Sequence, residues 1–146
     1  MALKRMDNVG IVVDDLGEAI AFFAELGLEL EGRALIEGEW AGRVTGVAGQ
    51  LVEIAMMRTP DGHSRLELSR FLRPAVIADH RNAPVNALGY LRVMFAVDDI
   101  DDTLARLRTR TNLPPMRQIH AVIKRRHKRL TSIVTVRNDA MVFNPP

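Results

Sequence analysis

The chain has no cysteine in its 146 residues, which excludes disulfides, thiolate metal sites and a cysteine nucleophile. It also lacks any apolar run near the roughly 20 residues a membrane-spanning helix needs. Its opening, Met1-Ala2-Leu3-Lys4-Arg5-Met6-Asp7, meets an acid before an apolar signal-peptide core can form, so a cytoplasmic location is the expectation. No Gly-Lys-Ser/Thr phosphate loop, Gly-x-Ser-x-Gly elbow or His-Glu-x-x-His pair occurs, and the reaction classes that use those motifs lack support. Aromatics are scarce, and Trp40 is the one tryptophan. What remains is ordinary for a single soluble domain: 47% hydrophobic residues in a chain long enough for a full core.

The sequence states one pattern twice. Asn8-Val9-Gly10-Ile11-Val12-Val13-Asp14-Asp15-Leu16, leading into a helical run over 17–26, returns as Arg92-Val93-Met94-Phe95-Ala96-Val97-Asp98-Asp99-Ile100, leading into a run over 101–107. A repeated strand, Asp-Asp break and amphipathic helix implies two copies of one supersecondary unit packed as one domain, with a ligand held between them. The expected organisation is module one over 6–73, a connector over 74–88 and module two over 89–146.

In the first module, the β-branched run over 9–13 ends at Asp14-Asp15, and Asp15 is placed to cap a helix whose apolar positions are Leu16, Ile20, Phe23 and Leu26. Gly27 stops that helix. Strands are expected over 28–37, 50–58 and 64–71, separated by glycines and the Pro60-Asp61-Gly62 turn. In the last strand Leu66, Leu68 and Phe71 form the apolar set, with Arg65, Glu67 and Ser69 on the other side, so Glu67 points away from the apolar face.

The second module restarts in kind and then changes. Residues 1–103 hold 10 Lys+Arg against 17 Asp+Glu, whereas residues 104–146 hold 10 Lys+Arg against Asp139 alone. After Pro114-Pro115 comes a basic stretch with weak helical spacing at Met116, Ile119, Ile123 and Leu130, then short strand candidates over 130–136 and 140–143. Lys124-Arg125-Arg126-His127-Lys128-Arg129 admits three readings: contact with phosphates, a solvated charge run, or an ending that replaces the module's own through a reading-frame change or terminal exchange. The absence of interleaved aromatics weighs against nucleic acid. The abrupt charge change and missing strands favour the replaced ending, with divergence over 111–146.

The two modules, each with Val-Asp-Asp-Leu or Val-Asp-Asp-Ile between strand and helix, together with the Leu66-Glu67-Leu68 strand, resemble the vicinal oxygen chelate superfamily of glyoxalases, bleomycin-resistance proteins and extradiol dioxygenases. The resemblance covers roughly residues 6–110. It implies an α+β fold of two βαβββ modules in a glyoxalase-like, partly open barrel, commonly a homodimer, with the second module divergent after about residue 110.

Members with enzymatic activity usually hold a divalent metal through a His or Gln opening each module and a carboxylate near the end of each. Carried over, the positions are Asn8, Glu67 and Arg92, and only Glu67 is a conventional ligand. The Asn carbonyl binds first-row metals poorly, and Arg has no lone pair to donate. The expectation is therefore no metal and no other cofactor, with a small organic molecule in the cleft; the alternatives are a metal-dependent lyase, isomerase or dioxygenase, and a nucleic-acid-associated protein. Whether the chain is an enzyme stays open.

Glu67 is the candidate catalytic group; Asn8, Arg92, Trp40, Met56 and Met57 are the candidate ligand-binding residues. An Arg92–Glu67 pair admits a structural ion pair or an anion- or carbonyl-binding site with Glu67 as orienting group or base. Arg92→Leu separates them, because unchanged ligand affinity with lost stability assigns the structural role. Trp40, between Gly38 and Gly42, suits either a mobile loop over a flat ligand or a plug at a sheet edge or dimer seam. Of Met56 and Met57 one must face opposite to the other. His63 would share a face with Glu67 on a continuous strand, but its turn context points to solvent.

Overall fold

The computed structural model describes residues 4–77, 92–109, 120–126 and 129–137, and Cα positions divide the chain into two compact units, Met1–Ile77 and Ala78–Pro146. Unit one runs β1 (Val9–Val12), α1 (Leu16–Leu26), β2 (Glu29–Glu37), α2 (Glu39–Thr45), β3 (Leu51–Arg58) and β4 (Arg65–Arg73). Its four strands form one sheet in the order β1-β4-β3-β2. The β2–β3–β4 strands are antiparallel neighbours, and β1 closes the row by running parallel to β4.

Helix α1 begins where the sequence supplies a cap. The Glu18 backbone N–H donates to Asp15 Oδ1 at 2.8 Å, satisfying one of the donors left over in a first helical turn. It ends at Gly27, whose φ of 111° is left-handed, with its N–H bonded to Ala24 and Phe23 carbonyls, a stop that a Cβ would strain. Between these ends Leu16, Ala19, Phe22 and Phe23 are buried, and the rings of Phe22 and Phe23 meet edge to face at 5.1 Å. The helix packs on β3 and β4.

Strand alternation and register sort the sheet into two faces. Ala55 pairs with Leu68 and Met57 with Leu66, all four buried, on the side that carries the core. The other face carries Glu67, Ser69, Met56 and Ile54. Phe71 lies two residues beyond Ser69 and opposite Val52, so it belongs to the Glu67 side and not with Leu66 and Leu68. Period two, not apolarity, decides its side.

Within unit one, one element departs from the sequence reading. Residues 39–45 form α2, placing Trp40 in a first helical turn and not in a loop. Gly38 and Gly46, with φ of 92° and 80°, bracket the helix, and Glu39 and Arg43 sit one turn apart with ends 3.8 Å away. Beyond it, the buried Gln50 accepts from the Thr45 hydroxyl at 2.8 Å.

Unit two contains β5 (Arg92–Val97), α3 (Ile100–Thr109), β6 (His120–Arg126) and β7 (Arg129–Arg137), with the sheet order β5-β7-β6. The repeated half is as expected, and Asp99 Oδ1 accepts from the Asp102 N–H at 2.9 Å, repeating the role of Asp15. The basic stretch then departs from the helical spacing, since 120–126 is a strand paired antiparallel to β7. With two described strands after the helix, the strand beside β5 runs antiparallel to it, whereas three strands after α1 bring β4 back parallel to β1. Residues 140–143 lie outside the described residues, as does the 78–91 stretch holding most of the expected connector.

A candidate functional site on one sheet face

Parallel pairing of β1 with β4 sets Gly10 opposite Glu67 and brings the start of β1 beside the carboxylate. Asn8 Nδ2–H donates to Glu67 Oε2 at 3.2 Å, and the Ser69 hydroxyl donates to Glu67 Oε1 at 3.3 Å. Both oxygens of a half-buried carboxylate are thus held by neutral donors, and among the described residues Glu67 forms no ion pair. Asn8 and Glu67 are among the residues the sequence singled out, and unit one brings them together. Ser69 is an addition, detectable beforehand as the residue two positions on and on the same face.

A second polar group occupies one end of this face. Arg58 Nη2 donates to Glu29 Oε2 at 2.7 Å, and Arg65 reaches Glu31 through Nε at 2.7 Å and Nη2 at 3.1 Å. The Arg65 bonds hold the Glu31 carboxyl below its ordinary range, and Glu31 in return raises the Arg65 guanidinium. Glu29 likewise raises Arg58, whose buried Nε has no hydrogen-bond partner among the described residues and lies 3.7 Å from Glu31 Oε1. A bulge between Leu30 and Gly32 accompanies this group. Nothing in linear spacing announces it, because it depends on strand register.

Among the other candidates, Met56 pairs directly with Glu67 and is half-buried, while Met57 is fully buried on the α1 side. Trp40 is 54% exposed and its indole Cδ1 lies 3.5 Å from where a Cβ on Gly38 would sit. His63 stands in the exposed turn before β4, its backbone N–H bonded to Asp61 Oδ1 at 3.0 Å. Arg92 opens β5, but its side chain lies outside the described residues, as do those of Lys124–Arg129.

The donor set bears on the metal that the fold family implies. Unit one offers one carboxylate and one amide, and the amide directs its N–H at that carboxylate. A divalent first-row ion takes three or more protein ligands, with imidazole, thiolate or further carboxylates preferred. Among the described residues no three His, Asp or Glu side chains gather to supply them, so the described residues by themselves do not complete such a site. Among the same residues no helix is long and apolar enough to cross a membrane.

Comparison with known proteins agrees with the α+β fold. No curated protein matches the chain. A glyoxalase family protein from Bacillus cereus, known from a crystal structure, is 71% identical, with a TM-score of 0.72 over 75% of this chain and 73% of that one. The family model described as glyoxalase/bleomycin resistance protein/dioxygenase superfamily matches residues 7–112, stopping where the charge and strand pattern change. The α+β architecture is accordingly glyoxalase-like, and the chain belongs to the glyoxalase/bleomycin resistance protein/dioxygenase superfamily.

Proposed function

We propose that the chain binds a small organic molecule over the Glu67 face of the β1-β4-β3-β2 sheet, without a catalytic metal, and that it does so as a homodimer. The observation that supports this reading is the Asn8–Glu67 hydrogen bond: an amide donor occupies the carboxylate oxygen that a metal would otherwise share. Glu67 anchors the ligand and, where a reaction follows, is the group positioned to take a proton. Met56 supplies adaptable apolar contact beside it, and Met57 belongs to the core. Trp40 contributes an aromatic surface from α2.

The test is elemental analysis of stripped protein after separate incubation with zinc, nickel, manganese and ferrous iron. The expected result is less than one equivalent retained per chain for each. One tightly held equivalent that disappears in Glu67→Ala overturns the metal-free reading and favours a lyase, isomerase or dioxygenase, in which the ion polarises a carbonyl or binds vicinal oxygens.

A further inference from the structure

Register places four residues in one row across the Glu67 face of the sheet. Gly10 on β1 is opposite Glu67 on β4, Glu67 is opposite Met56 on β3, and Met56 is opposite Gly32 on β2. The charged side chain and its methionine neighbour therefore stand between two positions with no side chain. Neither glycine adopts a left-handed φ, and a Cβ built on either meets nothing within 4 Å. Gly32 borders the bulge, but no turn or close backbone approach accounts for Gly10. A glycine in mid-strand weakens the strand and often marks the close approach of a ligand or another backbone.

The charges on this face indicate what that ligand carries. Glu29, Glu31, Arg58 and Arg65 pair with one another at one end of the sheet. Among the described residues the donors to Glu67 are Asn8 and Ser69, and a carboxylate with two hydrogen bonds retains acceptor capacity. Its neighbours on the face, Met56 and Ile54, are apolar and half-buried.

Building on the small-molecule reading above, we infer that the Glu67 row binds a flat organic cation. Its protonated amine donates to Glu67, and its aromatic or apolar body lies on Met56 in the space left by Gly10 and Gly32. Neighbouring strands are about 4.8 Å apart, so a ring one methylene away from the amine reaches Met56 when the amine meets Glu67. Gly10 is then a specificity-determining position: its missing side chain is what admits the ring system.

Two probes with one aromatic body and opposite charge test this on the full chain, 1-naphthylmethylammonium and 1-naphthoate, titrated by ligand-observed NMR. The ammonium is expected to bind saturably and the carboxylate about tenfold more weakly or less. Glu67→Gln removes the preference. Gly10→Val and Gly32→Val each weaken the ammonium about tenfold, with thermal unfolding unchanged or shifted upward, an outcome that a merely structural role for the glycines does not produce. Naphthoate binding as tightly as the ammonium, indifferent to Glu67→Gln, overturns the cation assignment while leaving the small-molecule reading standing. Failure of both probes to bind the native chain overturns the cation assignment and the small-molecule reading together. Unchanged ammonium affinity in both glycine variants overturns their role in admitting the ligand; if one variant fails to fold, the other decides.

Discussion

Single residues set the boundaries on which the site depends. Asp15 shows this for α1: its carboxylate takes the Glu18 N–H, and Asp15→Ala should lower unfolding free energy by about 1 kcal/mol, read from the midpoint of a urea titration with an unchanged slope. Glu67 differs in kind, because the hydrogen bonds from Asn8 and Ser69 come from neutral groups on its own face. The importance of Asn8 and Glu67 was legible through resemblance, and their side of the sheet through alternation. The donor to the second oxygen, Ser69, was available to the same alternation. Met56 and Met57 illustrate the limit: the sequence required them to oppose one another, yet pairing with Glu67 or Leu66 had to decide which methionine joined which face.

At the scale of elements, repeated patterns were the most readable. The strand, Asp cap and helix of each copy stand where the sequence placed them, because caps and periodicity are local signals. Helix α2 was hidden by its length and by its glycines, which as boundary residues look the same as loop residues. Strand β6 was hidden by its charges, since a basic run reads as solvated whatever backbone it adopts. The ion group of β2, β3 and β4 is a property of paired elements, and it carries a pH signature. Arg65 depresses the Glu31 carboxyl, so this interaction stabilises the folded chain above the ordinary glutamate range and is lost as pH falls through the folded value. Stability measured by urea titration from pH 7 downward should therefore fall more steeply below about pH 4.5 in the native chain than in Glu31→Gln, with the two curves converging in acid. Parallel curves would mean that Glu31 contributes nothing through its charge.

For the whole molecule, the contrast is between a unit that completes its strand count and one that, among the described residues, has two strands after its helix. Adding or removing one antiparallel strand reverses the direction of the last, which is why β7 runs against β5 where β4 runs with β1. The family match ends at residue 112, in the region where the chain turns basic. The proposed homodimer predicts sedimentation equilibrium at twice the 16.3 kDa chain mass across a tenfold dilution series; a mass of one chain throughout would assign the monomer.

The parallel seam between β1 and β4 ties the site to the integrity of its unit. Asn8 and Glu67 are 59 positions apart in the chain, and everything between them, including helices α1 and α2 and strands β2 and β3, is the loop their contact closes. A contact of such separation forms only after the local structure has repaid the entropy of closure. Detachment of β1 alone, with the β2–β3–β4 meander still hydrogen-bonded, therefore suffices to remove the Asn8 donor from the carboxylate, leaving Ser69 on β4 as its partner. Ligand affinity thus reports the docking of the first strand: an opening confined to the β1 edge of the sheet should weaken it even while the core beneath α1 holds.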